Sequence, residues 1–99
     1  MILVRDIMHC KPGQVRPLVQ KFLAIDKLGR QLGFSAMRVM TDIAAERYWT
    51  VVGEMEVESL EKYGEMMKKS METKEFQDAM KGYHDLVIDG RREIYQIEK

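Results

Sequence analysis

Asp6 and His84 are the side chains of this sequence best suited to acid–base chemistry. Histidine is the residue type suited to proton transfer at physiological pH, so His84 at a pocket edge could act as an acid, a base or a ligand, and near a helix C-terminus it could instead cap the helix. Asp6 lies among apolar neighbours, where a carboxylate needs a partner or a raised pKa. It is therefore either a base or one member of a cross-strand ion pair with Arg5, Arg38 or Arg91.

Sulfur and aromatic side chains form a second group of candidates. The chain contains 9 methionines, several of them crowded in one predicted helix. Thioethers adapt to irregular apolar shapes, so this stripe is either plain core or the wall of a pocket for a flat hydrophobic ligand. The predicted ligand-binding residues are Trp49, Tyr63, Met67, Met80 and Tyr83.

His9 and Cys10 are adjacent, and imidazole and thiolate are both zinc ligands. No C-x-x-C or H-x-x-x-H spacing supplies further ligands, so the pair is better interpreted as two residues at a loop edge. The sequence also has no Ser-His-Asp set and no glycine-rich phosphate loop. We therefore predict no metal site and no cofactor.

The composition argues against several classes of partner. The 16 Lys and Arg residues balance the 16 Asp and Glu residues, which removes the phosphate attraction used by nucleic-acid-binding proteins. Charges are interspersed, and the apolar start of the chain is too short for a signal peptide or a membrane span, so no membrane partner is expected. Cys10 is the one cysteine and cannot form an internal disulfide, which favours a cytoplasmic location.

The spacing of apolar residues predicts one domain over residues 1–99, with strands over 2–8, 34–41, 47–57 and 91–97. One helix is predicted over 12–31, with Pro12 in its first turn. A second helix is predicted to be capped by Ser59 and to restart after a kink at Thr73, a second cap. This order predicts an α+β, ferredoxin-like split βαβ fold, in which two helices cover one face of a four-stranded antiparallel sheet.

Three glycines mark predicted boundaries. Gly33 is expected to end the first helix in a left-handed conformation, and Gly53 to mark a bulge in strand three. Gly90, after Asp89, is expected to lead into the last strand. Residues 86–88 are predicted to form a loop, with a tight hairpin against the last strand as the alternative.

The second face of the predicted sheet needs a partner. Strand alternation leaves apolar groups on both faces, with Ile2 and Val4 on one side of strand one and Leu3 and Ile7 on the other. We therefore predict a homodimer that forms through the sheet.

Five segments carry a resemblance to a known superfamily: residues 11–13, 33–34, 48–52, 73–76 and 90–95. Through them the chain resembles the dimeric α/β-barrel superfamily, and most of all its small members related to antibiotic-biosynthesis monooxygenases and NIPSNAP-type proteins. The resemblance spans nearly the whole chain and implies a sheet-to-sheet dimer. The superfamily includes cofactor-free oxygenases, haem-degrading enzymes, isomerases and proteins without known activity, so the resemblance selects no chemistry.

The haem-degrading members of that superfamily use an asparagine in strand one, and a tryptophan and a haem-ligating histidine in helix two. In this chain Asp6 stands at the asparagine position, Met80 at the histidine position and Tyr63 near the tryptophan position. The resemblance thus disfavours haem degradation, although His84 lies nearby.

Three functions fit these observations. The first is a homodimer that binds a small apolar or aromatic molecule between helices and sheet. The second is a cofactor-independent monooxygenase acting on an electron-rich aromatic such as a quinol, oriented by Trp49, Tyr63, Asp6 or His84. The third is an interaction module without a ligand. The oxygenase requires an open pocket with at least two converging polar groups, and the module requires none.

Overall fold

The computed structural model describes residues 1–99 and has two layers, a four-stranded antiparallel sheet and a layer of helices. The elements are β1 (Ile2–Cys10), α1 (Val15–Gln31), β2 (Arg38–Thr41), β3 (Thr50–Val57), α2 (Leu60–Glu72), α3 (Lys74–Met80) and β4 (Val87–Gln96), with a 3₁₀ turn at Tyr83–Asp85. The strand order is β2-β3-β1-β4, which confirms the predicted ferredoxin-like α+β fold. None of the helices has both the length and the apolar character needed to cross a membrane.

Alternation along β1 divides the sheet into a helix-covered face and an open face. Ile2 and Val4 belong to a buried cluster beside α2, and Cys10 to a second cluster beside α1 that is centred on the fully buried Leu18. Because successive strand residues point to opposite sides, Leu3 and Ile7 lie on the open face. The helices therefore cover one face of the sheet, as predicted.

The first helix begins later than predicted because the residues before it form a tight turn. Gln14 N–H donates to the Lys11 carbonyl at 3.0 Å, and Gly13 has a φ of 82°. Proline at the second position and a left-handed glycine at the third are the signature of a type II turn. Pro12 therefore belongs to this turn, and α1 starts at Val15.

Strand β2 is shorter than predicted because the C-terminus of α1 holds the preceding residues. Phe34 N–H donates to the Gly29 carbonyl at 2.8 Å, and Gly33 has the expected left-handed φ of 85°. These contacts form a Schellman motif, which satisfies the last helical carbonyls. The Met37 N–H is bound in turn by the Asp26 carboxylate at 2.8 Å, so residues 34–37 do not join the sheet.

Strand β3 begins at Thr50, so the prediction that Trp49 lies within the strand is wrong. The Thr50 N–H donates to the Asp42 carboxylate at 2.8 Å instead of to a strand partner. Trp49 has a φ of 62°, a conformation uncommon for a bulky residue. The β2–β3 loop therefore ends in a left-handed backbone conformation at Trp49.

The second helical region is two helices, as predicted. The Ser59 hydroxyl accepts from the Lys62 N–H at 3.1 Å and so caps α2. Thr73 separates α2 from α3, but its hydroxyl donates to the Lys69 carbonyl at 2.7 Å and does not cap α3. The predicted kink is thus confirmed, whereas the predicted side-chain cap at Thr73 is wrong.

Strand β4 is longer than predicted, since Val87 and Ile88 belong to it and form neither the predicted loop nor a hairpin. Val87 already pairs with Cys10 on the central strand β1. The register shifts between His9 and Cys10, so the irregularity of the sheet lies there.

Gly53 in β3 is regularly paired with β1. Its missing side chain makes room for the Phe22 ring, which a Cβ there would meet at 3.1 Å. The predicted bulge at Gly53 is wrong.

The open face carries a row of alternating charges across all four strands, which we term the ion-pair row. Its members are Arg38, Glu54, Arg5, Glu93 and Arg91. Arg5 Nε donates to Glu54 Oε2 at 2.9 Å, and Arg38 binds the other oxygen of the same carboxylate. The two arginines together bury Glu54, which is 6% exposed. Because Arg38 binds it, and Arg5 adds a second contact, the pKa of Glu54 lies below its usual range.

Candidate functional site

A cleft of about 760 Å³ separates α2 and α3 from the covered face of the sheet. Neither helix contributes a fully buried residue, and α2 touches the underlying cluster through Tyr63 and Met66 alone. The apolar faces of α2 and α3 point toward the sheet but are only partly packed against it. This spacing creates the cleft.

Methionine is the most frequent residue in the apolar wall of this cleft, which we term the methionine cleft. Every methionine of the chain except Met1 and Met40 lines it. Phe22, Ile25, Phe34 and Phe76 add ring and aliphatic surface. Flexible thioethers suit an irregular apolar surface that can adapt to a bound molecule.

A polar group of three side chains interrupts the apolar wall. Asp6 and Arg92 are paired residues on β1 and β4, and Arg92 Nε donates to Asp6 Oδ1 at 2.6 Å. The Arg92 guanidinium carbon lies 5.6 Å from the centre of the Tyr63 ring, within cation–π range. Burial raises the pKa of the Tyr63 phenol, so this hydroxyl stays protonated near neutral pH. The group therefore combines an ion pair with a phenol.

The predicted partners of Asp6 were wrong. Arg5, Arg38 and Arg91 extend into the ion-pair row on the opposite face, and the partner in the structure is Arg92. A one-residue shift in a strand moves a side chain to the other face, so Arg91 and Arg92 cannot both reach the cleft side.

His84 and Tyr83 lie in the 3₁₀ turn at the rim of the methionine cleft. Their ring centres are 4.0 Å apart, and His84 is exposed while Tyr83 packs against the core. Helix α3 ends at Met80, whereas His84 lies in the separate 3₁₀ turn that follows it. His84 is therefore not the predicted cap of a helix C-terminus.

The structure brings most of the predicted site residues to one place. Asp6, Tyr63, Met67, Met80, Tyr83 and His84 all border the methionine cleft. Trp49 does not, because it lies before β3 with 45% of its surface exposed. Sequence reasoning missed Arg92, and the signal that could have found it is its pairing with Asp6 in adjacent antiparallel strands.

His9 and Cys10 lie at the end of β1, not at a loop edge, and they face opposite sides of the sheet. His9 Nδ1 is 2.5 Å from Asp89 Oδ1, and Arg47 donates to the other oxygen of the same carboxylate at 3.1 Å. Cys10 is buried among apolar residues of the α1 cluster, and this burial raises the pKa of its thiol. Because the two side chains diverge, they cannot share one metal ion.

No protein-family model matches the sequence, and no curated protein is significantly similar to it. Solved structures do match in fold. An uncharacterised NIPSNAP-like domain protein from Burkholderia xenovorans superposes with a TM-score of 0.83 at 16% identity, covering 99% of this chain and 85% of that one. A NIPSNAP family protein from Agrobacterium tumefaciens gives 0.77 at 15% identity, with 96% and 90% covered.

An antibiotic biosynthesis monooxygenase also matches, with a TM-score of 0.74 at 14% identity over 100% of both chains. These similarities in fold agree with the resemblance seen in the sequence. The chain thus has the ferredoxin-like fold that NIPSNAP-type proteins and antibiotic biosynthesis monooxygenases share.

Proposed function

We propose that this chain is a homodimeric protein that binds a small apolar or aromatic molecule in the methionine cleft. The observation that carries this proposal is the cleft itself. Its volume of about 760 Å³ lies within the range of roughly 300–1,000 Å³ typical of small-molecule sites. Its wall is largely apolar, with one convergent polar group at Asp6, Arg92 and Tyr63. This composition is typical of sites that bury a ligand body and orient one end.

A thermal-shift screen against quinols, flavins and haem tests ligand binding. A compound present at 100 times its dissociation constant adds about 2.7 kcal/mol of stability, which corresponds to a rise in Tm of about 10 °C or more for a chain of this size. We expect at least one flat apolar compound, such as a naphthoquinol, to produce such a rise. Haem is expected to give none, because Met80 stands where the haem-degrading relatives carry their ligating histidine.

A variant that fills the cleft provides the control. Met67→Trp places a large ring in the lining, so the Tm rise should disappear. Leu23→Trp makes a similar change on the exposed side of α1, away from the cleft, and should retain the rise. If Met67→Trp keeps the same Tm rise as Leu23→Trp, the compound binds outside the methionine cleft, and the proposal is contradicted.

The open face of the sheet supports the dimer. Beside the ion-pair row, Met40, Val52 and Ile7 form a half-buried apolar row across β2, β3 and β1. An exposed apolar patch is typical of an interaction surface, and a twofold axis lets the same surface serve both copies. The ion-pair row carries charges of both signs, so an arginine of one copy can pair with a glutamate of the other.

Light scattering at micromolar concentration tests the dimer, and we expect twice the mass of the 11.6 kDa chain. Ile7→Asp places a charge in the apolar row and should yield the single-chain mass. Leu23→Asp adds the same charge on α1, where the side chain is already exposed, and should leave the dimer intact. A single-chain mass for the unmodified protein would refute the dimer.

A cofactor-independent oxygenase is the second candidate. It is favoured by the convergence of Asp6, Arg92 and Tyr63 in one apolar cleft, since such an enzyme needs at least two polar groups there to orient an aromatic substrate. Oxygen consumption with a naphthoquinol above its rate of spontaneous oxidation would support this activity. Binding without added consumption would leave ligand binding as the function.

A further inference from the structure

Arg92 has unused hydrogen-bonding capacity at the wall of the methionine cleft. Its Nε donates to Asp6 Oδ1 at 2.6 Å, and this is the one side-chain hydrogen bond that its guanidinium makes. Both terminal amino groups are without a partner. A guanidinium in this state presents two parallel N–H donors along its end edge, the geometry that matches a carboxylate.

The polar group as a whole offers more donors than acceptors. The two Arg92 amino groups and the Tyr63 hydroxyl, which makes no hydrogen bond, are free donors. Asp6 Oδ2 is the free carboxylate oxygen opposite them. A ligand group that accepts several hydrogen bonds therefore satisfies this end of the cleft better than one that donates them.

The other charged residues around the cleft have partners or point elsewhere. The Asp26 carboxylate is bound by Arg30 at 2.9 Å. Three residues that border the cleft turn their side chains to the opposite face of the sheet: Glu54, Asp89 and Arg91. No lysine borders the cleft. Among the Lys and Arg residues that border the cleft, Arg92 is thus the one whose side chain lies on the covered side of the sheet.

We propose that the molecule bound in the methionine cleft is an organic acid, whose carboxylate binds the end edge of Arg92 while its apolar body lies on the methionines. This inference rests on the proposed function, since it names the class of ligand for the same cleft. The Tyr63 hydroxyl supplies a further donor to the carboxylate. The hydrocarbon part of the acid is flat or flexible, because thioethers accommodate either shape.

Three matched probes test this assignment by calorimetry at pH 7: 2-naphthoate, 2-naphthamide and 2-methylnaphthalene. They share one ring system, and they differ in carrying a carboxylate, a neutral amide or a methyl group. Charge-assisted hydrogen bonds are roughly twice as strong as neutral ones, so we expect 2-naphthoate to bind about tenfold more tightly than 2-naphthamide. Equal affinity of the two would overturn the inference.

Arg92→Gln is expected to remove this preference, leaving 2-naphthoate no tighter than the amide. Arg92→Lys keeps the charge but lacks the planar fork, so it should retain only part of the preference. Arg91→Gln makes the same charge change one residue away, on the open face, and should keep the full preference. Unchanged binding of 2-methylnaphthalene shows that each variant has kept its cleft, and light scattering shows that it has kept its assembly.

A loss of preference of equal size in Arg91→Gln and Arg92→Gln would reflect overall charge and would overturn the role of Arg92. Failure of the inference is distinguishable from failure of the proposed function. If 2-methylnaphthalene and 2-naphthamide bind as well as 2-naphthoate, the cleft binds ligands but does not select acids. If none of the three probes binds, the proposed binding function fails with the inference.

Discussion

Leu18→Ala is expected to lower the free energy of unfolding by about 2 to 5 kcal/mol, whereas Met67→Ala is expected to lower it by less than about 2 kcal/mol. Leu18 is 0% exposed and lies within the cluster of Cys10, Phe22 and Val51. Its deletion removes contacts on all sides and leaves a cavity. Met67 is half-buried on α2 and borders the methionine cleft, so one side of its side chain already lacks packing atoms.

Urea unfolding of the two variants measures this difference. The slope of the free energy of unfolding against urea concentration should be the same in each variant as in the unmodified protein. Leu23→Ala serves as the control, because this residue of α1 is 46% exposed and its truncation should change stability by less than about 0.5 kcal/mol. If Met67→Ala costs as much as Leu18→Ala, the methionines are packed as core. The cleft would then have no room for a ligand, and the binding proposal would be wrong.

The order and type of the main elements could be predicted because apolar periodicity is set by which faces are buried. Residues such as Leu18 and Phe22 recur at helical spacing, and Val51 lies in a stretch rich in β-branched residues. The starts of β2 and β3 could not be predicted, because single hydrogen bonds decide them. The Asp42 carboxylate takes the Thr50 N–H, and no regular sequence pattern signals that contact.

The candidate site was predictable in part for the same reason. Asp6 could be predicted because it is a carboxylate in an apolar strand, and Tyr63 and Met67 because they belong to one helical stripe. The partner of Asp6 depends on strand register, which the sequence does not specify when arginines occupy both 91 and 92. The position of Trp49 was predicted wrongly because its aromatic ring favours a strand, whereas the backbone there has a positive φ that a strand does not allow.

Acid is expected to weaken the fold through Glu54. Its pKa lies below the usual range because Arg38 and then Arg5 bind the carboxylate, so the unfolded state takes up protons at a higher pH than the folded state. The stabilisation is therefore complete above the unfolded pKa of about 4.3 and is lost as the pH falls through the lowered folded pKa. Hydrogen bonds to a charged group contribute about 1.5 to 3 kcal/mol each, and the lower end applies because both arginines reach solvent.

Glu54→Gln should consequently lower the free energy of unfolding by about 1.5 kcal/mol at pH 7. The difference in the free energy of unfolding between Glu54→Gln and the unmodified protein should shrink toward zero as the pH falls well below about 4. Glu58→Gln is the matched control, since Glu58 is an exposed glutamate outside the ion-pair row. The Asp89 carboxylate, whose pKa His9 and Arg47 also lower, titrates in the same acid range, so only the difference between protein and variant isolates Glu54. A difference that stayed constant from pH 7 to strong acid would mean that Glu54 contributes through its packing, and the ion-pair row would then not account for its burial.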